Sequence, residues 1–321
     1  MDFFKDLKVD YKAGNKISYS GRKSKLENEY WHQEIAVSHI KDISSKKLTD
    51  FALVGYVCDA GVQRNQGRIG AKKGPKSIRN SLGKLPTHFT NKKIIDFGDV
   101  VCKDDHLEDC QKALSKITSK LISSKIIPIL IGGGHDIAYA NFNGIKDALK
   151  DISKNNIGII NFDAHFDLRP VKTKPNSGTP FNQILKENNN VDYFVIGIQQ
   201  QSNTKELFKI ALEKKVSYVS NFECETFSEV LKNKLNTFIK EVDYLYITID
   251  LDGFSSAYAP GVSAPSPLGF TPHFAYKVLA FLFKSKKVIS LDIAELNPDF
   301  DIDENTANLA AKIIDYMILN T

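Results

Sequence analysis

A chain of 321 residues, 42% hydrophobic and 25% charged, is long enough for a large buried core and has the composition of an ordinary globular protein. The formal charge of +5 comes from scattered lysines with no basic block or base-stacking motif, which argues against a nucleic-acid partner. No apolar run approaches the roughly 20 residues of a membrane span, and the opening MDFFKDLKVDYKAGNK lacks a signal-peptide core, so the expectation is a cytoplasmic protein.

Residues 1–48 are polar and irregular apart from an aromatic patch at Tyr30 and Trp31, and read as an arm packed on the body. From residue 49 to 321 the pattern is that of a single α/β domain, without internal repeats or linkers. The first strand, FALVGYV, leads into a glycine-rich stretch containing Arg64 and Arg68. Only five of the 43 basic residues are arginines: Arg22, Arg64, Arg68, Arg79 and Arg169. A planar guanidinium suits carboxylates better than an ammonium does, so arginines spared from routine surface work merit notice, although Arg79 reads as a structural salt bridge or a helix-surface charge.

The rhythm continues with KIIDF, the helical HLEDCQKALSKITSKLISSK, then IIPILI, IGIINF, DYFVIGI, VSYVS, DYLYITI and KVISLDI, most of them separated by helical stretches. Eight strands alternating with helices predict a mostly parallel sheet covered on both faces. Strand count alone leaves a (β/α)8 barrel open. The four cysteines, Cys58, Cys102, Cys110 and Cys224, form no CxxC pair and read as buried or inert thiols in a reducing compartment.

Ligands of parallel sheets bind at the carboxyl ends of strands, and four such ends carry the polar clusters. IIPILI runs into Gly132-Gly133-Gly134-His135-Asp136, and IGII into Asn161-Phe162-Asp163-Ala164-His165-Phe166-Asp167. YITI runs into Asp250-Leu251-Asp252-Gly253, and SLDIA into Glu295-Leu296-Asn297-Pro298. Each fragment alone has an ordinary reading as a turn or strand exit. Together His135, Asp163, His165, Asp167, Asp250 and Asp252 supply two imidazoles and four carboxylates, which predicts a pair of divalent ions. The thiolate-free, oxygen-rich set favours Mn2+, with Co2+, Ni2+ or Fe2+ also compatible. Fully extended, Asp163 and Asp167 would stand roughly 13 Å apart, too far for ions about 3.5–4 Å apart, so the chain must curl near Ala164 and His165. Such a pair would activate a shared water against a planar carbon, and Glu295 would hold the N–H groups of an amidine or guanidine.

GGGHD, NFDAHFD, TIDLDGFSSAYAPGVSAPSPLG and DIAELNP, in this order, resemble the ureohydrolases, the arginase and agmatinase superfamily. The resemblance implies a three-layer α/β/α sandwich around an eight-stranded, mostly parallel sheet. It also implies two Mn2+ per subunit, one held by His135, Asp163, Asp167 and Asp250 and the other by Asp163, His165, Asp250 and Asp252. GVQRNQGRIGA, APGVSAP and a Ser177-Gly178-Thr179-Pro180-Phe181 loop without the histidine of arginases and agmatinases are similar to formimidoylglutamases. The expected reaction is hydrolysis of N-formimidoyl-L-glutamate, with Arg64, Arg68, Ser177 and Thr179 receiving the substrate. Without that histidine, the proton for the leaving amine would come from water, through Asp167, or from another group. An agmatinase or other guanidino hydrolase is the alternative, and an inactive scaffold on the same fold is a second. The expected partners are a small-molecule substrate and further copies of the chain.

Overall fold

The computed structural model describes residues 4–44, 47–150 and 154–321. In chain order the elements are β1 (Val9–Lys12), α1 (Trp31–Glu34), β2 (Ala36–Val37), β3 (Phe51–Val57), α2 (Ala60–Arg64), α3 (Gly74–Gly83), β4 (Ile94–Cys102), α4 (Leu107–Ser123), β5 (Ile127–Ile131), α5 (Ile137–Leu149) and β6 (Ile157–Phe162). There follow α6 (Pro180–Glu187), β7 (Val191–Ile198), α7 (Lys205–Glu213), β8 (Ser217–Ser220), α8 (Glu229–Glu241), β9 (Tyr244–Asp250), α9 (Pro272–Phe283), β10 (Val288–Ala294) and α10 (Asn305–Asn320). Hydroxyl caps start several helices: Thr204, Ser228 and Thr271 each accept a backbone N–H of the first turn, and Pro272 sets the first residue of α9.

The strands form one open sheet, ordered β1-β4-β3-β5-β10-β9-β6-β7-β8, with β2 beside β4. The eight strands legible as β-branched or aromatic runs are its parallel body; an open sheet, not a closed barrel, is what they build. The sheet has ten strands because β1 and β2, too short to carry a period-2 pattern, attach to the β4 edge, β1 antiparallel and β2 parallel. Along the fully buried strands the continuous apolar runs reflect burial on both faces. Leucines, isoleucines and phenylalanines of α3, α8, α9 and α10 pack one face, and those of α4, α5, α6 and α7 the other.

The described part of the arm is anchored by Trp31, fully buried with its indole N–H donating to Asp315 (2.8 Å), and by Tyr19, whose hydroxyl donates to Asp96 (2.8 Å). Asp96 also receives both Nε and Nη2 of the buried Arg79, at 2.7 and 2.9 Å, while Nη1 reaches Asp99 at 2.6 Å.

β5, β10, β9 and β6 are consecutive neighbours at the centre of the sheet. Their registers pair Ile131 with Ile293, Ile293 with Ile249, and Ile249 with Phe162. The four strands therefore end level, and whatever follows them meets at one point on the rim.

Candidate metal centre

β5 runs out through Gly132 and Gly133, both with left-handed φ (+82° and +75°). A Cβ on Gly133 would stand 2.5 Å from the Tyr56 ring and 2.8 Å from two backbone carbonyls, so only glycine permits the turn that delivers His135. After β6 the chain bends as the ligand spacing required, and Asp167 takes a left-handed φ of +48°. Glu295, immediately after β10, has φ +68°. Non-glycine residues in this region are strained and are held there by their surroundings. Glu295 is fixed by its own N–H to the Gly133 carbonyl (2.9 Å) and by Oε1 accepting the His135 N–H (2.8 Å).

His135 Nδ1 stands 3.2 Å from Asp163, 3.0 Å from Asp167 and 3.1 Å from Asp250. Its other nitrogen, Nε2, donates to Thr248 Oγ1 (2.9 Å), and the Thr248 hydroxyl donates to Asp292 (2.5 Å), which Asn141 and Tyr246 also hold. A proton fixed on Nε2 leaves Nδ1 as a lone-pair donor facing the acids, the arrangement in which an outer hydrogen bond orients a ligating imidazole. Beside it, His165 Nδ1 lies 3.4 Å from Asp163 Oδ1 and 3.2 Å from Asp252 Oδ2. Asp250 Oδ1 accepts the Asp252 N–H (2.9 Å), which ties the two acids together. Asn161 steadies Asp163 with a 2.9 Å hydrogen bond.

All six sequence-derived ligand residues therefore meet, in two groups: His135, Asp163, Asp167 and Asp250, and next to it Asp163, His165 and Asp252. Asp163 contributes to both. Asp250 falls in the first group only, so its sharing, implied by resemblance, is not visible in this arrangement.

The electrostatics favour a cation. Asp250 is pushed well above the usual carboxylate range by burial and by the charges of Asp252 and Asp163. Burial also raises Asp167 and Asp252. For His135 burial opposes protonation, but its hydrogen bonds to Asp163, Asp167 and Asp250 outweigh it and raise the imidazole well above its ordinary value; His165 follows with Asp252 and Asp163. Asp163 is lowered, because the two imidazoles outweigh its burial. Among the described residues the ion pairs of these four acids run only to the two histidines, so with all four ionised even two imidazolium ions leave an excess of negative charge. The buried Asp252 Oδ1 has no hydrogen-bond partner. Hard oxygen donors in excess, neutral-capable imidazoles and an orphaned carboxylate oxygen fit divalent ions of the manganese class.

A cavity of about 310 Å3 opens above this cluster, with Asp167, Asp250, Asp252, His165 and Glu295 at its floor. Burial holds the Glu295 carboxyl up at about 8. The cavity walls correct part of the substrate-binding expectation. Arg64 does not line the cavity: its guanidinium is turned to Asp105 (2.5 Å), Glu108 (2.8 Å) and the Pro175 carbonyl (3.1 Å). Thr179 is likewise turned inward, its hydroxyl between the Asn176 carbonyl and Gln183 (both 2.9 Å). Arg68 and Ser177 do line it; Arg68 stacks over the Phe300 ring at 4.0 Å and donates to the Ser263 carbonyl, and Ser177 accepts from Asn65 at 3.1 Å. Sequence reasoning noticed Arg169 but gave it no role at the substrate; it lines the cavity and hydrogen-bonds Asn65. Its signal was its place directly after the acidic cluster.

Residues 49–319 match the model of the arginase family. Formimidoylglutamase of Clostridium tetani (strain Massachusetts / E88) is 40% identical over 336 residues, covering 98% of this chain and 97% of its own. Among solved structures, a variant of Trypanosoma cruzi formiminoglutamase with Mn2+ superposes with a TM-score of 0.75 at 25% identity, covering 88% of this chain and 97% of that one. Formimidoylglutamase from Bacillus subtilis shares the fold at TM-score 0.82 and 20% identity, with 94% of each chain covered.

Proposed function

The chain belongs to the arginase family, and from that premise we propose that it hydrolyses N-formimidoyl-L-glutamate to L-glutamate and formamide, a step of histidine degradation. The observation that carries the reading is the cavity itself: an acid-and-imidazole floor suited to two Mn2+ per subunit, under walls that present Arg68 and Arg169. High identity to a formimidoylglutamase across nearly the whole chain supports the same substrate.

His135, Asp163, Asp167 and Asp250 would hold one ion, and Asp163, His165 and Asp252 the other, with Asp250 Oδ1 beside the second group. When bound, the ions supply Lewis-acid activation of water at neutral pH. Glu295, fixed by the His135 N–H, receives the N–H groups of the formimidoyl moiety and orients its carbon over the floor. Arg68 and Arg169 take the substrate carboxylates, with Ser177 donating a hydroxyl at the same wall. Asp167, on the cavity floor and the more accessible of the acids around His135, passes a proton toward the leaving amine. Arg64 serves as a clasp that ties α2 to the start of α4.

The experiment is formamide release from N-formimidoyl-L-glutamate by manganese-reconstituted protein, beside urea release from agmatine and arginine, before and after chelation. Faster turnover of agmatine would overturn the substrate, because a second cation is repelled by two wall arginines. Arg169→Ala should raise KM about 10–100-fold with a smaller change in kcat, the loss expected for one charge-assisted pair. Arg64→Ala should leave KM within about twofold.

A further inference from the structure

Of the chain's four cysteines, three meet although no motif joins them. Cys58 follows β3, Cys102 ends β4 and Cys110 sits in the first turns of α4; a sulfur from each lies within 4.8 Å of the other two. Cys58 and Cys110 are buried at 1% and 0% exposure, whereas Cys102 is half-buried and reaches the surface. Three thiolates on one ion with metal–sulfur bonds of about 2.3 Å stand roughly 4 Å apart, a spacing these three side chains allow.

We propose that Cys58, Cys102 and Cys110 form a second, separate metal site for one thiophilic d10 ion of the Zn2+ or Cu+ class. Donor softness sorts the two sites: the rim centre offers only oxygen and nitrogen, and this one offers sulfur. Uptake releases the thiol protons, so it strengthens as pH rises.

The test uses the full-length protein, reduced, with the rim centre filled by excess Mn2+, then titrated with Cd2+. The expected result is one further ion per chain by elemental analysis, with sulfur-to-cadmium charge-transfer absorption in the ultraviolet and three thiols protected from a thiol reagent. Cys102→Ser, at the accessible corner, should abolish the band and the protection while unfolding at the same temperature as the parent. Cys224→Ser, on the opposite face of the sheet, should keep both. The proposal is overturned if no thiolate band develops, if the band survives in Cys102→Ser, or if the triad loses two mass units to a disulfide without taking up an ion. Should Cys102→Ser fold poorly, the stoichiometry and band of the parent protein decide alone.

Discussion

Two clusters of buried charge among the described residues are closed in opposite ways. Around Arg79 one guanidinium meets Asp96 bidentately and Asp99 singly, with the Tyr19 hydroxyl completing Asp96, so donors and acceptors match within the protein. On the rim, four carboxylates converge on two imidazoles and remain in excess. A buried acid with its own arginine is architecture; buried acids that lack a basic side chain describe a guest of opposite charge.

The contrast predicts opposite responses to neutralising one member of each cluster. Asp250→Asn should cut turnover to below about 1% of the parent rate and remove bound manganese. Yet the ion-free variant should unfold at or above the temperature of the ion-free parent, because a carboxylate pushed up by burial and by Asp252 and Asp163 is removed. Metal content and thermal unfolding check both halves, and retained turnover would sink the centre. Arg79→Ala should instead destabilise the fold by about 3–5 kcal/mol, since it strands Asp96 in the core; a urea midpoint shift of that size checks it. Manganese affinity, measured under conditions where the variant is folded, should stay within about threefold.

A smaller effect is the pH dependence of the ion's contribution. His135 and His165 are raised above their unfolded values in the ion-free fold, so the stability they contribute is present below about pH 6.5 and is lost as pH rises through their folded pKa. Bound cations displace those protons. The gain in unfolding temperature on adding Mn2+ should therefore be greater near pH 8 than near pH 6, by several degrees for each roughly 1–2 kcal/mol. An equal gain at both would mean that metal does not displace the imidazole protons.

The ligands could be read in the sequence because each hangs from the end of an apolar strand run, and periodicity and strand-end position are local properties. The same holds for the eight parallel strands. What escaped is set by contacts far along the chain. Arg64 and Arg68 are four residues apart and look alike in sequence, but Asp105 and Glu108, some forty residues on, turn the first away. Arg169 faces the cavity because Asn65 holds it there. The thiol triad was equally hidden: Cys58 and Cys102 become neighbours only because β3 pairs with β4, and Cys110 joins them only when α4 folds over that pair. Strands β1 and β2 carry no usable pattern in four and two residues.

The flush finish of β5, β10, β9 and β6 has a consequence for how such a chain can change over time. Residues inserted into helices, or into the turns at the far ends of these strands, leave the rim untouched, because the backbone ladder sets where each strand stops. One residue gained or lost inside any of the four would invert the side chains beyond it and carry an acid or imidazole to the wrong face. Descendants of this sequence have least freedom to lengthen along those four short runs and the ligand-bearing turns that follow them.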